Sequence, residues 1–218
     1  YIGSLFGFLF TLLSFKLFVA LFYTGTIFVI WKMSKSLLSV SLFALNPLVA
    51  IETIVSGHND VVMMFFALFS FFLLSKNKLG FAALFFVLSI FIKFATLFLL
   101  PIFLYVFVKK IRRKEINWEK MFYFSSLLMI IAFLLSPIRE EIYPWYAIWF
   151  LPFVSLIPQN KVLLYISISL CFGLMLRYIP FMLLGTYSDP TPFIKTLLTF
   201  TPVILTLIIF SIRERLWL

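Results

Sequence analysis

The feature that most restricts what this sequence can fold into is the recurrence of long apolar runs with no charge and no alternation. "VVMMFFALFSFFLL", Val61 to Leu74, and "VLLYISISLCFGLML", Val162 to Leu176, are two of them. A helix that crosses a bilayer needs roughly 20 mostly apolar residues to span about 30 Å of hydrocarbon, whereas a barrel strand alternates over about 10. Continuous runs therefore predict an all-α fold, a polytopic transmembrane helical bundle. Composition agrees: 64% of the 218 residues are hydrophobic and 12% charged, which excludes a soluble globular domain. Phe alone supplies 31 residues, more than a protein core of this size buries, so many are expected to face lipid.

The net charge of +10 would suggest nucleic acid in a soluble chain. Here the basic residues fall in short clusters between apolar runs, the pattern that orients membrane proteins, so no nucleic acid is expected and the lipid bilayer is the first partner. Tyr1 to Leu13 reads as a short interfacial helix. Spans are then expected at Lys16–Trp31, Ser36–Ser56 with a kink at Pro47, Val61–Leu74, Leu79–Ile92 and Phe94–Val108. Met121–Ser136, Trp145–Ile157, Val162–Leu184 and Phe193–Phe210 bring the count to about nine, in one transmembrane domain covering residues 1–218. This parity puts Lys32, Lys35, Lys76, Lys78 and the cluster "KKIRRKEINWEK" on the cytoplasmic side, and Glu52, His58, Asp60, Glu140, Glu141 and Asp189 at the outer face. The single cysteine, Cys171, lies in an apolar run, so neither an intrachain disulfide nor a thiolate zinc site is expected. Nothing at the start of the chain reads as a signal peptide, and the chain is expected to be a piece of a longer protein.

Three polar constellations stand out. In "NPLVAIETIVSGHND", Asn46 is placed to cap the helix that Pro47 begins, and Gly57 to end it in a left-handed conformation. Asn59 or Asp60 then caps the next helix, which holds His58 in a tight turn. Asn46 and Asp60 are each expected to cap a helix, which does not exclude a further function. Glu52 is harder to dismiss, because a carboxylate one or two turns into the membrane costs about 2.5–3.5 kcal/mol unless paired or hydrated. A divalent metal on His58, Asp60 and Glu52 is only weakly signalled, and no metal or other cofactor is assigned. In "SPIREEIYPWYAIWFLP", the aromatic residues Tyr143, Trp145, Tyr146 and Trp149 fit an interfacial belt. They also sit beside Arg139, Glu140 and Glu141, a mixture of flat faces and charges suited to gripping a sugar ring. Arg139 could instead snorkel to headgroups. Lys93, in "SIFIKFATLFLLP", either snorkels or offers its charge to an anion such as a lipid phosphate. Arg177 is a second cation in an apolar run, for which Glu52 or a substrate phosphate would serve as partner.

Taken in order, NPxxxxE at Asn46 to Glu52, SGHND with Met63 and Met64 after it, Lys93 opening a run that closes on Pro101, and "YPWYAIWFLP" resemble the GT-C superfamily of membrane glycosyltransferases. The branch most like it is the bacterial and archaeal mannosyltransferases that use polyprenol-phosphate mannose. The resemblance implies transfer of a hexose, with inversion, from a polyprenyl-phosphate-linked sugar to a glycan or glycolipid acceptor at the outer face of a prokaryotic plasma membrane. It assigns His58, Asp60 and Glu52 to catalysis and Asn59 to the loop that meets the substrate. Lys93, Arg139 and Arg177 would suit the phosphate, and Tyr143, Trp145 and Tyr146 the sugar. Enzymes of this superfamily usually carry their principal acid on the first large outer loop, so the resemblance leaves open whether the base is among these residues or lies upstream of Tyr1. The rival reading is a transporter or flippase for a lipid-linked or anionic solute. Such a protein places its charges at the midplane between related halves, and neither pattern is visible in this sequence.

Overall fold

The structure is a computed structural model that describes residues 7–138 and 141–216, with side chains through 212; the expected site residue Arg139 and its neighbour Glu140 lie outside these. Every regular element among the described residues is helical. The chain divides into two compact units, Tyr1–Ile157 and Pro158–Leu218.

In the first unit, α1 (Phe8–Ser34) runs unbroken through the region expected to separate an interfacial helix from a first span. Its polar residues do not interrupt it because they bond within the helix: Thr11 Oγ1 donates to the Gly7 carbonyl and Ser14 Oγ to that of Thr11. The short helix α2 (Leu37–Ala44) is capped by Ser36. The chain then bends by 55° into α3 (Pro47–Ala50), which continues as one π-helical turn, Ile51–Val55. Asn46 Oδ1 accepts from the amides of Leu48 and Val49, as expected of the cap before Pro47. Gly57, with φ 77°, makes the left-handed turn that ends this stretch.

The helix α4 (Asp60–Ser75) lies in the core, against α1 and against α5 (Leu79–Ile92). Phe22, Phe65, Phe66, Phe69 and Phe85 interlock along these contacts, and Ser89 Oγ donates to the Met63 carbonyl across α4 and α5. After an extended break at Lys93, a 3-10 segment, Phe94–Leu99, leads into α6 (Leu100–Ile111). A basic loop then leads to α7 (Trp118–Leu135), which Asn117 caps. A second 3-10 segment, Pro144–Trp149, and the short α8 (Leu151–Ser155) complete this unit.

The second unit contains α9 (Lys161–Leu176), α10 (Tyr178–Leu184) and α11 (Thr191–Leu216). Helices α9 and α11 meet at Gly173, where a Cβ would collide with the Thr199 carbonyl, so only glycine allows this backbone approach.

Among the described residues, five helices are long and apolar enough to cross a membrane, or six if the bent pair Leu37–Ala44 and Pro47–Val55 counts as one. The protein is thus a multi-pass helical membrane protein, but the expected nine spans are not formed. Helix α4 has 16 residues and so reaches about 24 Å; α5, with 14 residues, reaches about 21 Å. The segment expected to span from Trp145 to Ile157 is instead a 3-10 turn and a five-residue helix buried in protein, with Phe150 and Phe153 fully covered. Its apolar character reflects a protein interior rather than lipid.

Candidate functional site

The π-helical turn at Ile51–Val55 places Glu52 inside the first unit, 1% exposed, and such turns often mark functional positions. Glu52 holds the following loop at two points. Its carbonyl accepts from the His58 amide at 2.9 Å, and its Oε2 lies 3.4 Å from His58 Nε2. On the ring's flat side His58 stacks on Trp145, with centroids 3.8 Å apart, and Trp145 in turn stacks on Tyr143 at 4.4 Å. The histidine is thereby fixed in plane and in edge.

Burial lowers the proton affinity of His58 below its ordinary value of 6.5; the charge of Asp60 opposes this shift and that of Lys93 adds to it. The imidazole is therefore neutral at pH 7 and able to accept a proton.

Asp60 is the first residue of α4 and 1% exposed. The capping position falls to Asn59, whose side chain makes no capping bond, so the expectation that Asp60 serves as a plain cap is corrected. Its carboxylate turns instead to Lys93 and Trp149. Oδ1 accepts from Lys93 Nζ at 2.8 Å and from the Trp149 indole N–H, while the buried Oδ2 accepts no hydrogen bond among the described residues. The ammonium of Lys93 also lies over the rings of Tyr146 and Trp149, at 5.1 and 5.8 Å. Lys93 is thus paired with a carboxylate while still lining the cavity. The extended backbone at Lys93, between α5 and the 3-10 segment, lets its side chain turn inward.

These groups line one cavity of about 890 Å³. His58, Asn59, Asp60 and Lys93 form its polar side, and Tyr143, Trp145, Tyr146 and Trp149 its aromatic side. Ile92, Phe98, Ala132 and Leu135 supply an apolar wall. Of the expected site residues, His58, Asn59, Asp60, Lys93, Tyr143, Trp145 and Tyr146 come together here, with Glu52 behind His58. Arg177 belongs to the second unit, where it is 5% exposed and donates to Thr199 Oγ1 at 3.0 Å. Among the described residues no group of three or more His, Cys, Asp and Glu is placed to hold a metal ion.

Trp149 is the site residue that the sequence did not single out beyond the aromatic belt. The signal that points to it is its spacing from Tyr146. In a 3-10 helix residues three apart eclipse, so Pro144–Trp149 puts both rings on the face that meets Lys93.

A carboxylate-backed neutral histidine, a held ammonium and stacked aromatic rings thus surround one cavity of a membrane protein. Residues 10–109 match the family model described as alpha-(1->6)-mannopyranosyltransferase, N-terminal domain. The matched segment contains Glu52, His58, Asp60 and Lys93 but not the aromatic segment from Tyr143 to Trp149, and it supports a mannosyltransferase. No curated protein and no solved structure matches the chain.

Proposed function

We propose that the chain carries the core of a mannosyltransferase that takes its sugar from a polyprenyl-phosphate donor and passes it, with inversion, to a glycan or glycolipid acceptor. The observation that carries this reading is the cavity in which His58, Lys93 and the aromatic rings meet, within and beside a segment similar to a mannosyltransferase family. The cavity opens at the outer face in this reading, since the acids gather away from the basic clusters.

The acceptor hydroxyl attacks the anomeric carbon from the side opposite the phosphate. As that bond forms, the bond from carbon to phosphate oxygen breaks, and the polyprenyl phosphate leaves with the electron pair. The hydroxyl proton passes to Nδ1 of His58, whose other nitrogen faces Glu52. Lys93 lies beside the leaving phosphate and stabilises its growing charge. Asp60 acts through Lys93, holding the ammonium against Tyr146 and Trp149. Tyr143 offers the sugar its ring, and Arg139 adds a second cation for the phosphate.

The test supplies vesicles containing the protein with radiolabelled polyprenyl phosphate mannose and an added glycan acceptor. His58→Ala is expected to slow transfer about 10²- to 10⁴-fold, the usual contribution of a general base. Undiminished transfer in both His58→Ala and Asp60→Asn would sink the assignment. Uptake of solute without transfer would favour a transporter.

A further inference from the structure

We propose a second binding site, a groove at the C-terminal end of α6 that takes the headgroup of an anionic phospholipid. The groove encloses about 480 Å³ and has two chemically distinct parts. Pro101, Leu104 and Val108 form an apolar wall along the helix, and Lys109, Arg112 and Lys114 form a basic rim at its end. Tyr105 lies between them, its ring 5.0 Å from Lys109 Nζ.

The wall fixes the class of occupant. Phe94–Ile111 is one of the five helices long and apolar enough to cross the bilayer, and Leu104, Tyr105 and Val108 are 48, 47 and 42% exposed along it. On a membrane-spanning surface those side chains meet acyl chains. The rim sits at the end of the same helix, at headgroup level. An occupant that touches both parts therefore joins an acyl chain to an anion, and a phospholipid of net negative charge is the chemistry that fits.

The rim is also preset. Lys109, which lines the groove, is steadied by the Tyr105 face and by the Glu115 carbonyl at 3.4 Å. The surrounding loop, residues 109–120, holds six basic residues against two acidic ones, so the rim lies in a strongly basic stretch. Lys110 turns to the Trp118 ring, 5.8 Å away, and does not line the groove. The three rim residues are thus distinguished from their equally charged neighbours by position, which makes specific binding separable from general attraction.

Binding to phosphatidylglycerol is measured by titrating the detergent-purified whole protein with the lipid and reading bound lipid by native mass spectrometry, with phosphatidylcholine as the neutral reference. Wild type is expected to prefer phosphatidylglycerol. Each basic contact near a lipid surface is worth about 1 kcal/mol, or about fivefold in affinity, so Arg112→Gln with Lys114→Gln should weaken binding about thirtyfold. Arg113→Gln with Lys120→Gln removes the same charge outside the groove and should cost less than about fivefold. Equal losses in the two double variants, or no preference in wild type, would overturn the site. Displacement of the lipid by millimolar inorganic phosphate would overturn the role of the apolar wall. The measurement reads binding alone and does not depend on sugar transfer.

Discussion

Lys93 and Arg177 give the same signal in the sequence, a lone cation inside an apolar run, yet the structure uses them differently. Lys93 sits at a break between two helical segments, is about one-third exposed and reaches a cavity, with Asp60 as counter-ion and two aromatic faces beneath it. Arg177 sits at the junction of α9 and α10, is buried, and donates to the Thr199 hydroxyl on α11. The first charge lines a cavity, while the second bonds to a neighbouring helix. A cation in a membrane segment therefore marks a site only when its partner and a cavity come with it.

The largest expected effect separates the two directly. Lys93→Gln should lower mannosyl transfer about 10²- to 10³-fold, the usual cost of removing one electrostatic stabiliser of a leaving group, and should also lower the melting temperature, because it leaves the buried Asp60 carboxylate without its counter-ion. Arg177→Gln should affect stability alone. Transfer stays within a few fold while stability falls by about 1–3 kcal/mol, the range for disturbing a buried hydrogen bond to a charged group. Thermal melts and initial rates on the same preparations check both, and loss of transfer at unchanged melting temperature in Arg177→Gln would break the contrast.

Trp149→Phe keeps the ring beneath Lys93 but removes the indole N–H that Asp60 accepts. A hydrogen bond to a charged acceptor is worth about 1.5–3 kcal/mol, so transfer should fall at least about tenfold if Asp60 positions Lys93. Unchanged transfer would show that Lys93 holds its place without the indole.

The smallest effects are shifts in pH dependence. The proton affinity of His58 is depressed, so its neutral form is favoured in the folded protein. The stability this contributes is present above pH 6.5 and is lost as pH falls below it towards the lower folded-state value. Transfer should likewise persist as pH drops to 6.5 and decline below it. Asp60 raises the affinity and Lys93 lowers it, so Asp60→Asn should move the acid limb to lower pH and Lys93→Gln to higher pH. Residual rates measured against pH check the two signs, and movement in the same direction in both variants would remove His58 as the titrating group.

The parts of this account legible in the sequence are the local ones. Asn46 caps Pro47 through bonds two and three residues away, and Gly57 makes its turn alone, so short motifs suffice for both. The polar richness around His58 likewise marks the cavity. What joins the site together is not local. Lys93 meets Asp60 across 33 residues and Trp149 meets it across 89, and no spacing rule covers such pairs. The span count fails for a related reason. Hydropathy registers removal from water, and Phe150 and Phe153, buried in protein, score like residues that face lipid. The π-helical turn that aims Glu52 at His58 leaves no signature in "IETIV" either.

The central claim is that Lys93 receives the donor phosphate. Equilibrium binding of radiolabelled polyprenyl phosphate mannose to wild type, Lys93→Gln and Arg177→Gln tests it most directly. The account predicts at least about tenfold weaker binding for Lys93→Gln, the scale of losing a desolvated charge contact, and affinity near wild type for Arg177→Gln. Weakened binding in Arg177→Gln with full affinity in Lys93→Gln would contradict it.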